Sequence, residues 1–214
     1  YGKFRVGNAE FYLLDTRGLR DMHDVENPAR KGMSMLSKTQ TNWLKKSMAA
    51  SDADFFFIAS TVDLMVPHVG TPGSRDPVKG KDDAWTAFLD EREELIEFWD
   101  RLGRPVSVLT GDLHNSWSIK VSDRVWEFAA GPHNSQNHPA ISEGSRPANG
   151  PFDSGGRPCE IRWSSYMRND VPPELRRWPI YAIASVNNVY PNPKTKDRMR
   201  WVAYPRPHVV VQYY

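Results

Sequence analysis

Three short apolar runs, each cut off by polar or ionisable residues, do most to limit what this chain can fold into. They are Phe11-Tyr12-Leu13-Leu14, Phe55-Phe56-Phe57-Ile58-Ala59-Ser60 and Pro105-Val106-Ser107-Val108-Leu109. A run of this length with no polar alternation reads as a strand buried on both faces. The segments between the runs carry helical spacing instead. Trp43, Leu44 and Met48 supply one apolar face, with Ser37 placed as an N-cap and Gln40 three residues on, as a capping box requires. Trp85, Phe88, Leu89, Arg92, Leu95, Ile96, Trp99 and Leu102 supply a second. That helix is expected to start at Asp82-Asp83, where negative charge suits the macrodipole, and to stop at Gly103. Buried strands alternating with helices define an α/β fold.

The later sequence changes character. Trp117 to Val121 and Arg124 to Phe128 read as strands joined by a Ser122-Asp123 turn. Residues 131–158 are rich in Gly, Pro, Asn and Ser and read as one long loop, of the kind that often carries function. Residues 21–31 and 68–81 also read as loops, and residues 62–66 as a continued extended segment. Further strands are expected over 181–186, 200–204 and 208–213. An antiparallel part therefore joins the α/β part, as a mixed sheet or as two packed sheets with helices outside, in one domain without a linker.

Charge and cysteine usage exclude some classes of function. Lys and Arg total 28 against 26 Asp and Glu, a net charge of +2, whereas a dedicated nucleic-acid binder carries a marked basic excess. Arg176-Arg177 is accordingly read as solvated surface. One cysteine, Cys159, cannot form an internal disulfide and reads as a small buried residue. No apolar run approaches the roughly 20 residues of a membrane span.

In open α/β sheets ligands bind beyond the carboxyl ends of the strands. The first run ends at Asp15 and Arg17, the second at Ser60, Thr61 and Asp63 with His68 beyond, and the third at Asp112 and His114. In an extended segment the side chains of Asp112 and His114, two residues apart, project to one side. Carboxylate oxygen and imidazole nitrogen are common ligands of first-row metals, and Gly111 would allow a sharp turn just before them. Two readings stay open on spacing alone. One is a metal-binding loop; the other is an aspartate capping its own loop with a histidine packed nearby.

The segment Thr110-Gly111-Asp112-Leu113-His114-Asn115-Ser116-Trp117 resembles the last metal-binding motif of the alkaline phosphatase D family, the PhoD-like metallophosphoesterases. Three more segments agree in the family's order. Leu14-Asp15-Thr16-Arg17-Gly18-Leu19-Arg20-Asp21 is similar to its LDTRxxRD stretch. Leu36-Ser37-Lys38-Thr39-Gln40-Thr41-Asn42-Trp43-Leu44 is similar to its LxxxQxxWL helix, and Asp83-Ala84-Trp85 with Glu91-Arg92 to its DxWxxxxxER helix. The match is good from Phe11 to Phe128 and loose in the tail.

The resemblance implies a metallophosphoesterase-like sandwich of mixed sheets flanked by helices. It implies hydrolysis of phosphate monoesters or diesters by a water activated at two metal ions, calcium and iron, other divalent ions being possible. Asp112 and His114 are then metal ligands and reaction-centre residues, and Arg17, His68 and His133 are substrate-side candidates. For Arg17 the competing role is a structural pair with a carboxylate, and Arg92 is expected to be such a buried pair. His23, His138 and His208 are expected at the surface. The family also draws ligands from an N-terminal half, through an early Asp motif, a Gly-Asp motif and an Asn motif. Gly111-Asp112 is the only Gly-Asp pair here, and it is already assigned. Residues 1–214 are therefore expected to be the C-terminal part of one PhoD-like domain, incomplete on its N-terminal side. Such a part needs the missing half or a complementing chain as partner. The family's usual export implies a place outside the cytoplasm. The alternative is a degenerate relative that keeps the fold, has lost the metal centre and acts as a binding module.

Overall fold

The computed structural model describes residues 1–22, 32–69, 84–191 and 201–214. The loop expectations for 21–31 and 68–81 fall largely outside these residues. Asp82-Asp83 and His23 fall wholly outside them. The chain divides into two compact units, Tyr1–Ile180 and Tyr181–Tyr214.

The larger unit is built on one eight-stranded mixed sheet with two helices. Its strands are β1 (Gly2–Val6), β2 (Ala9–Leu13), β3 (Phe55–Ala59), β4 (Val106–Thr110), β5 (Trp117–Lys120), β6 (Val125–Ala129), β7 (Gly150–Ser154) and β8 (Arg157–Ser164). They lie in the order β1-β2-β3-β4-β6-β5-β8-β7. Strands β2, β3, β4 and β6 run parallel, while β5 is antiparallel to both β6 and β8. Helix α1 (Ser37–Ala49) crosses from β2 to β3, and α2 (Leu89–Arg101) from β3 to β4. The three apolar runs thus form the parallel centre of the sheet.

Alternation across that centre sorts the side chains. Tyr12, Phe56, Ile58, Val106 and Val108 join Leu44 and Met48 of α1 and Leu95, Ile96 and Trp99 of α2 in one core. All of these are essentially buried, and each large aromatic or aliphatic side chain so placed contributes about 1.5–3 kcal/mol. The opposite face carries an aromatic row, with Phe4 stacked on Phe11 at 4.7 Å and Phe11 on Phe57 at 4.8 Å. Phe4, Val6 and Leu13 on this face stay exposed at 48%, 63% and 46%. The helices therefore cover one face only.

Four local expectations are corrected. Helix α1 has no side-chain cap at Ser37. Ser37 N–H donates instead to Ser34 Oγ at 2.7 Å, and Gln40 turns towards Asp15. The second helix does not run unbroken from Trp85: a 3₁₀ turn at Trp85–Ala87 is separated from α2 by Phe88, whose backbone is non-helical. Gly103, with φ +69°, ends α2 as its pattern implied. Residues 62–66 form bends rather than a strand. They are pinned by main-chain donors to Glu127, from Leu64 N at 2.8 Å and Met65 N at 3.0 Å. The long loop read over 131–158 holds a 3₁₀ turn at Ala140–Glu143, all of β7 and the start of β8. Gly155 and Gly156, both at positive φ, make the two-residue turn of the β7–β8 hairpin.

The smaller unit is an antiparallel ribbon of β9 (Ala182–Pro191) and β10 (Trp201–Tyr213). The two strands expected near the C-terminus are one, with its register shifted between Ala203 and His208. No helix among the described residues is long and apolar enough to cross a membrane.

Candidate active site

The parallel run of β2, β3, β4 and β6 sends the loops that follow them to one edge of the sheet. Those loops carry Asp15 and Arg17, Thr61 to His68, Asp112 to His114, and His133 to His138. This is the edge at which α/β sheets bind ligands. Thr16 and Thr61 share a hydroxyl contact that joins the first two loops.

Asp112 occupies a strained turn. Its φ is +72°, and Leu113 N–H donates to Gly111 O at 3.0 Å, closing a γ-turn with Asp112 at its centre. That form of γ-turn is rare and strained, and such backbones cluster at functional sites. The segment is therefore not extended. The turn falls on Asp112 itself, and Gly111 does not adopt positive φ. The result sets the Asp112 carboxylate 3.6 Å from His68 Nδ1, an ion-pair distance rather than a close hydrogen bond. His68, beside it, holds the Asp112 carboxyl below its ordinary range against the opposing pull of partial burial. The charges of Arg17 and His114 add to this. Arg17 is exposed in the loop that follows β2 at the same sheet edge.

His114 is oriented from behind. Its Nδ1 lies 2.7 Å from Gln136 O, and a carbonyl can only accept, so Nδ1–H donates and, in the neutral ring, the lone pair is on Nε2. A second hydrogen bond that fixes the imidazole in this way is the usual support of a metal-ligating histidine. The ring also stacks on His138, with centroids 4.0 Å apart. His138 lies 5.9 Å from the His68 ring as well. Three imidazoles and the Asp112 carboxylate thus share one edge. Among the described residues no group of three or more His, Cys, Asp or Glu side chains is arranged to hold a metal ion.

The loops are held by a buried polar frame. Asn115 donates to Glu143 at 2.6 Å and to His138 O at 2.8 Å. Glu143 pairs with Arg146 at 2.8 Å, both side chains fully buried. Asn137, 1% exposed, donates to His114 O at 3.0 Å and accepts Trp178 N–H at 2.7 Å. Gln40 clips the Asp15 backbone from both sides, accepting Asp15 N–H at 2.9 Å and donating to Asp15 O at 2.8 Å. The Asp15 carboxylate takes Arg17 N–H and Gly18 N–H, so it shapes its own loop. Asp63 is buried below the edge, and burial followed by the charge of Glu127 raises its carboxyl well above the usual range.

Two family-like residues are structural. Glu91 accepts main-chain N–H groups at the start of α1. Arg92, fully buried, binds Glu93 at 2.9 Å and Ser154 Oγ at 2.8 Å. Cys159 is 9% exposed, as its reading as a small buried residue requires, and burial pushes its thiol up to about 12.

A cavity of about 740 Å³ opens beside His114. His133 is exposed and lines it, together with His138, Arg176 and Arg177. Sequence reasoning missed His138, which it put at the surface and which is half-buried on His114. It missed Asn115 and Asn137, whose roles depend on contacts between segments 22 residues apart. Arg176-Arg177, read as solvated surface, is half-buried at Arg176 and exposed at Arg177, on the cavity wall. Asn137 and His138 stand in the Gly- and Asn-rich segment flagged as functional, and that is the one signal that could have found them.

Comparison with known proteins agrees with this geometry. The family model described as PhoD-like phosphatase matches residues 1–154. Alkaline phosphatase D of Bacillus subtilis (strain 168) is 32% identical over 131 residues, covering 55% of this chain and 21% of that protein. A solved structure described as that of PhoD aligns with all of this chain and 41% of its own, at 21% identity and a TM-score of 0.50, a likeness of fold. The chain thus spans well under half the length of either relative. A family model that accounts for 154 of 214 residues, including the strand ends that gather Asp15, His68 and Asp112, decides the relationship: the chain belongs to the PhoD-like phosphatase family.

Proposed function

We propose that this chain supplies part of the active site of a metal-dependent hydrolase of phosphate mono- or diesters. The observation that carries the reading is the strained Asp112 turn beside His68, with His114 held through Nδ1 so that Nε2 is the ring nitrogen left to ligate. Asp112 would ligate as carboxylate and His114 as neutral imidazole. Calcium and iron are the ions the family resemblance implies, with other divalent ions possible. When bound, such ions supply Lewis acidity towards phosphate oxygens and a water of lowered pKa.

The remaining residues act through position and charge. His68 orients the Asp112 carboxylate. Arg17 meets phosphate oxygens, which its planar guanidinium can bind as a pair. His133, exposed on the cavity wall, is a substrate-side residue. Two protein ligands hold a metal weakly, since catalytic sites ordinarily offer three or more. The other ligands therefore come from the rest of the domain, or from a complementing chain. In this reading residues 1–214 are its C-terminal part, and the second layer of a sandwich covers the sheet face that bears Phe4, Phe11 and Leu13. The uncovered aromatic row and the partial span of the relatives support that placement. A location outside the cytoplasm, as the family's usual export implies, is part of the same proposal.

The test is hydrolysis of a chromogenic phosphomonoester and a phosphodiester by the full-length protein supplied with calcium and iron. Asp112→Asn is expected to lower turnover by about a hundredfold or more. Turnover that stays intact in Asp112→Asn would show that the pair does not serve as proposed.

A further inference from the structure

We infer that the cavity beside His114 is a second anion subsite, built on Arg176 and Arg177, that favours phosphate esters carrying another anionic group beyond the scissile phosphate. The inference rests on the proposed hydrolase site and adds a substrate class to it. The cavity, at about 740 Å³, is far larger than one phosphate group needs. It falls within the roughly 300–1,000 Å³ that suits a whole small ligand. Its wall is basic and polar: His114, His133, His138, Arg176 and Arg177 line it, with no Asp or Glu among the described lining residues. An acid-free wall with two guanidinium groups attracts anions and repels nothing anionic.

The arginine pair is built into the site rather than placed beside it by chance. Arg176 O accepts Asn137 N–H at 2.7 Å, and Arg176 Nε donates to Val171 O at 2.7 Å. The next residue but one, Trp178, gives its N–H to Asn137 Oδ1 at 2.7 Å. Asn137 in turn donates to His114 O at 3.0 Å. One buried asparagine therefore fixes the arginine segment against the backbone of the ligand residue. The backbone that carries both arginines is thereby held beside His114. Arg177 is exposed on the cavity wall, and its planar fork suits phosphate or carboxylate oxygens.

The experiment uses the full-length protein with its metals and two non-hydrolysable probes, propylphosphonate and the propylene-bridged bisphosphonate, titrated calorimetrically. The bisphosphonate is expected to bind about tenfold more tightly or better, the scale of one charge-assisted hydrogen-bond pair to an arginine. That preference should collapse to within about twofold in Arg177→Gln and recover partly in Arg177→Lys, since lysine restores charge without the fork. Equal affinity for the two probes in the wild type overturns the inference. So does a preference that survives in a variant carrying both Arg176→Gln and Arg177→Gln. Hydrolysis of p-nitrophenyl phosphate and of bis(p-nitrophenyl) phosphate by the same preparations separates this from the parent reading, turnover meaning turnover of either. Turnover without an arginine-dependent preference sinks the subsite alone. An arginine-dependent preference without turnover upholds the subsite and sinks the hydrolase.

Discussion

Replacing Glu91 by alanine should damage both the fold and the site, and the structure gives the size of the effect. The Glu91 carboxylate is 7% exposed and accepts four hydrogen bonds. They come from Met35 N at 2.5 Å, Leu36 N at 3.2 Å, Ser34 Oγ at 2.8 Å and Thr41 Oγ1 at 2.8 Å. Met35 and Leu36 are fully buried, so their N–H groups cannot turn to bulk water when the acceptor goes. Each orphaned donor costs about 1–3 kcal/mol. Loss of a carboxylate at a helix N-terminus adds about 0.3–1 kcal/mol. Glu91→Ala should therefore cost about 3–5 kcal/mol, a large part of the roughly 5–15 kcal/mol that holds a domain folded. Glu91→Gln keeps the shape and one acceptor oxygen and should cost about 1–2 kcal/mol. Equilibrium urea unfolding reads both as lower midpoints at an unchanged slope. An alanine variant within about 0.5 kcal/mol of wild type would refute the capping account, that being the spread of ordinary surface substitutions.

Two further outcomes follow from the site frame. Asp63 has a carboxyl raised in the folded state by burial and then by Glu127, so its contribution to stability is complete below about pH 4, the ordinary unfolded value, and drains as pH rises. Asp63→Asn should therefore match wild type near pH 4 and gain on it at higher pH in urea midpoints; a difference that stays flat with pH contradicts this. Gln40→Ala removes both hydrogen bonds that clip Asp15, should cost about 2 kcal/mol, and should raise KM for a phosphate ester more than it lowers kcat, because Arg17 loses its fixed position; an unchanged KM would speak against Arg17 as a phosphate-binding residue.

The parallel centre of the sheet was legible because its strands read as unbroken apolar runs, although only β3 is buried along nearly its whole length, while Phe11 and Leu13 of β2 stay partly open on the face away from the helices. The edges were not legible. Strand β1, Gly-Lys-Phe-Arg-Val, is mostly exposed and lacks such a run. Strand β7 and the start of β8 lie in a stretch whose Gly, Pro and Asn content resembles a loop. Composition there recorded the hairpin turn at Gly155-Gly156 rather than the strands around it. The break at Phe88 went unseen because apolar periodicity continues across it from Trp85 into α2. At the site, Asp112 and His114 were legible as a spacing, but the γ-turn that aims Asp112 was not. Its strain is held in place by contacts from other loops. His138 shows the same limit: nothing in its neighbours foretells a ring stacked on His114. The motif residues Gln40, Glu91 and Arg92 could be found by resemblance, but their work is structural. Each ties a helix or loop to the edge where Asp112 stands.

The central claim, that Asp112 and His114 are metal ligands, is tested most directly by metal content. The full-length protein, dialysed after saturation with calcium and iron, should retain about two equivalents of metal, as a two-ion centre requires. His114→Ala and Asp112→Asn should each lose at least one equivalent while keeping the wild-type circular dichroism spectrum. Wild-type protein that retains less than about half an equivalent, or variants that retain as much as wild type, would contradict the account. The first of those results would favour a metal-free binding module on the same fold.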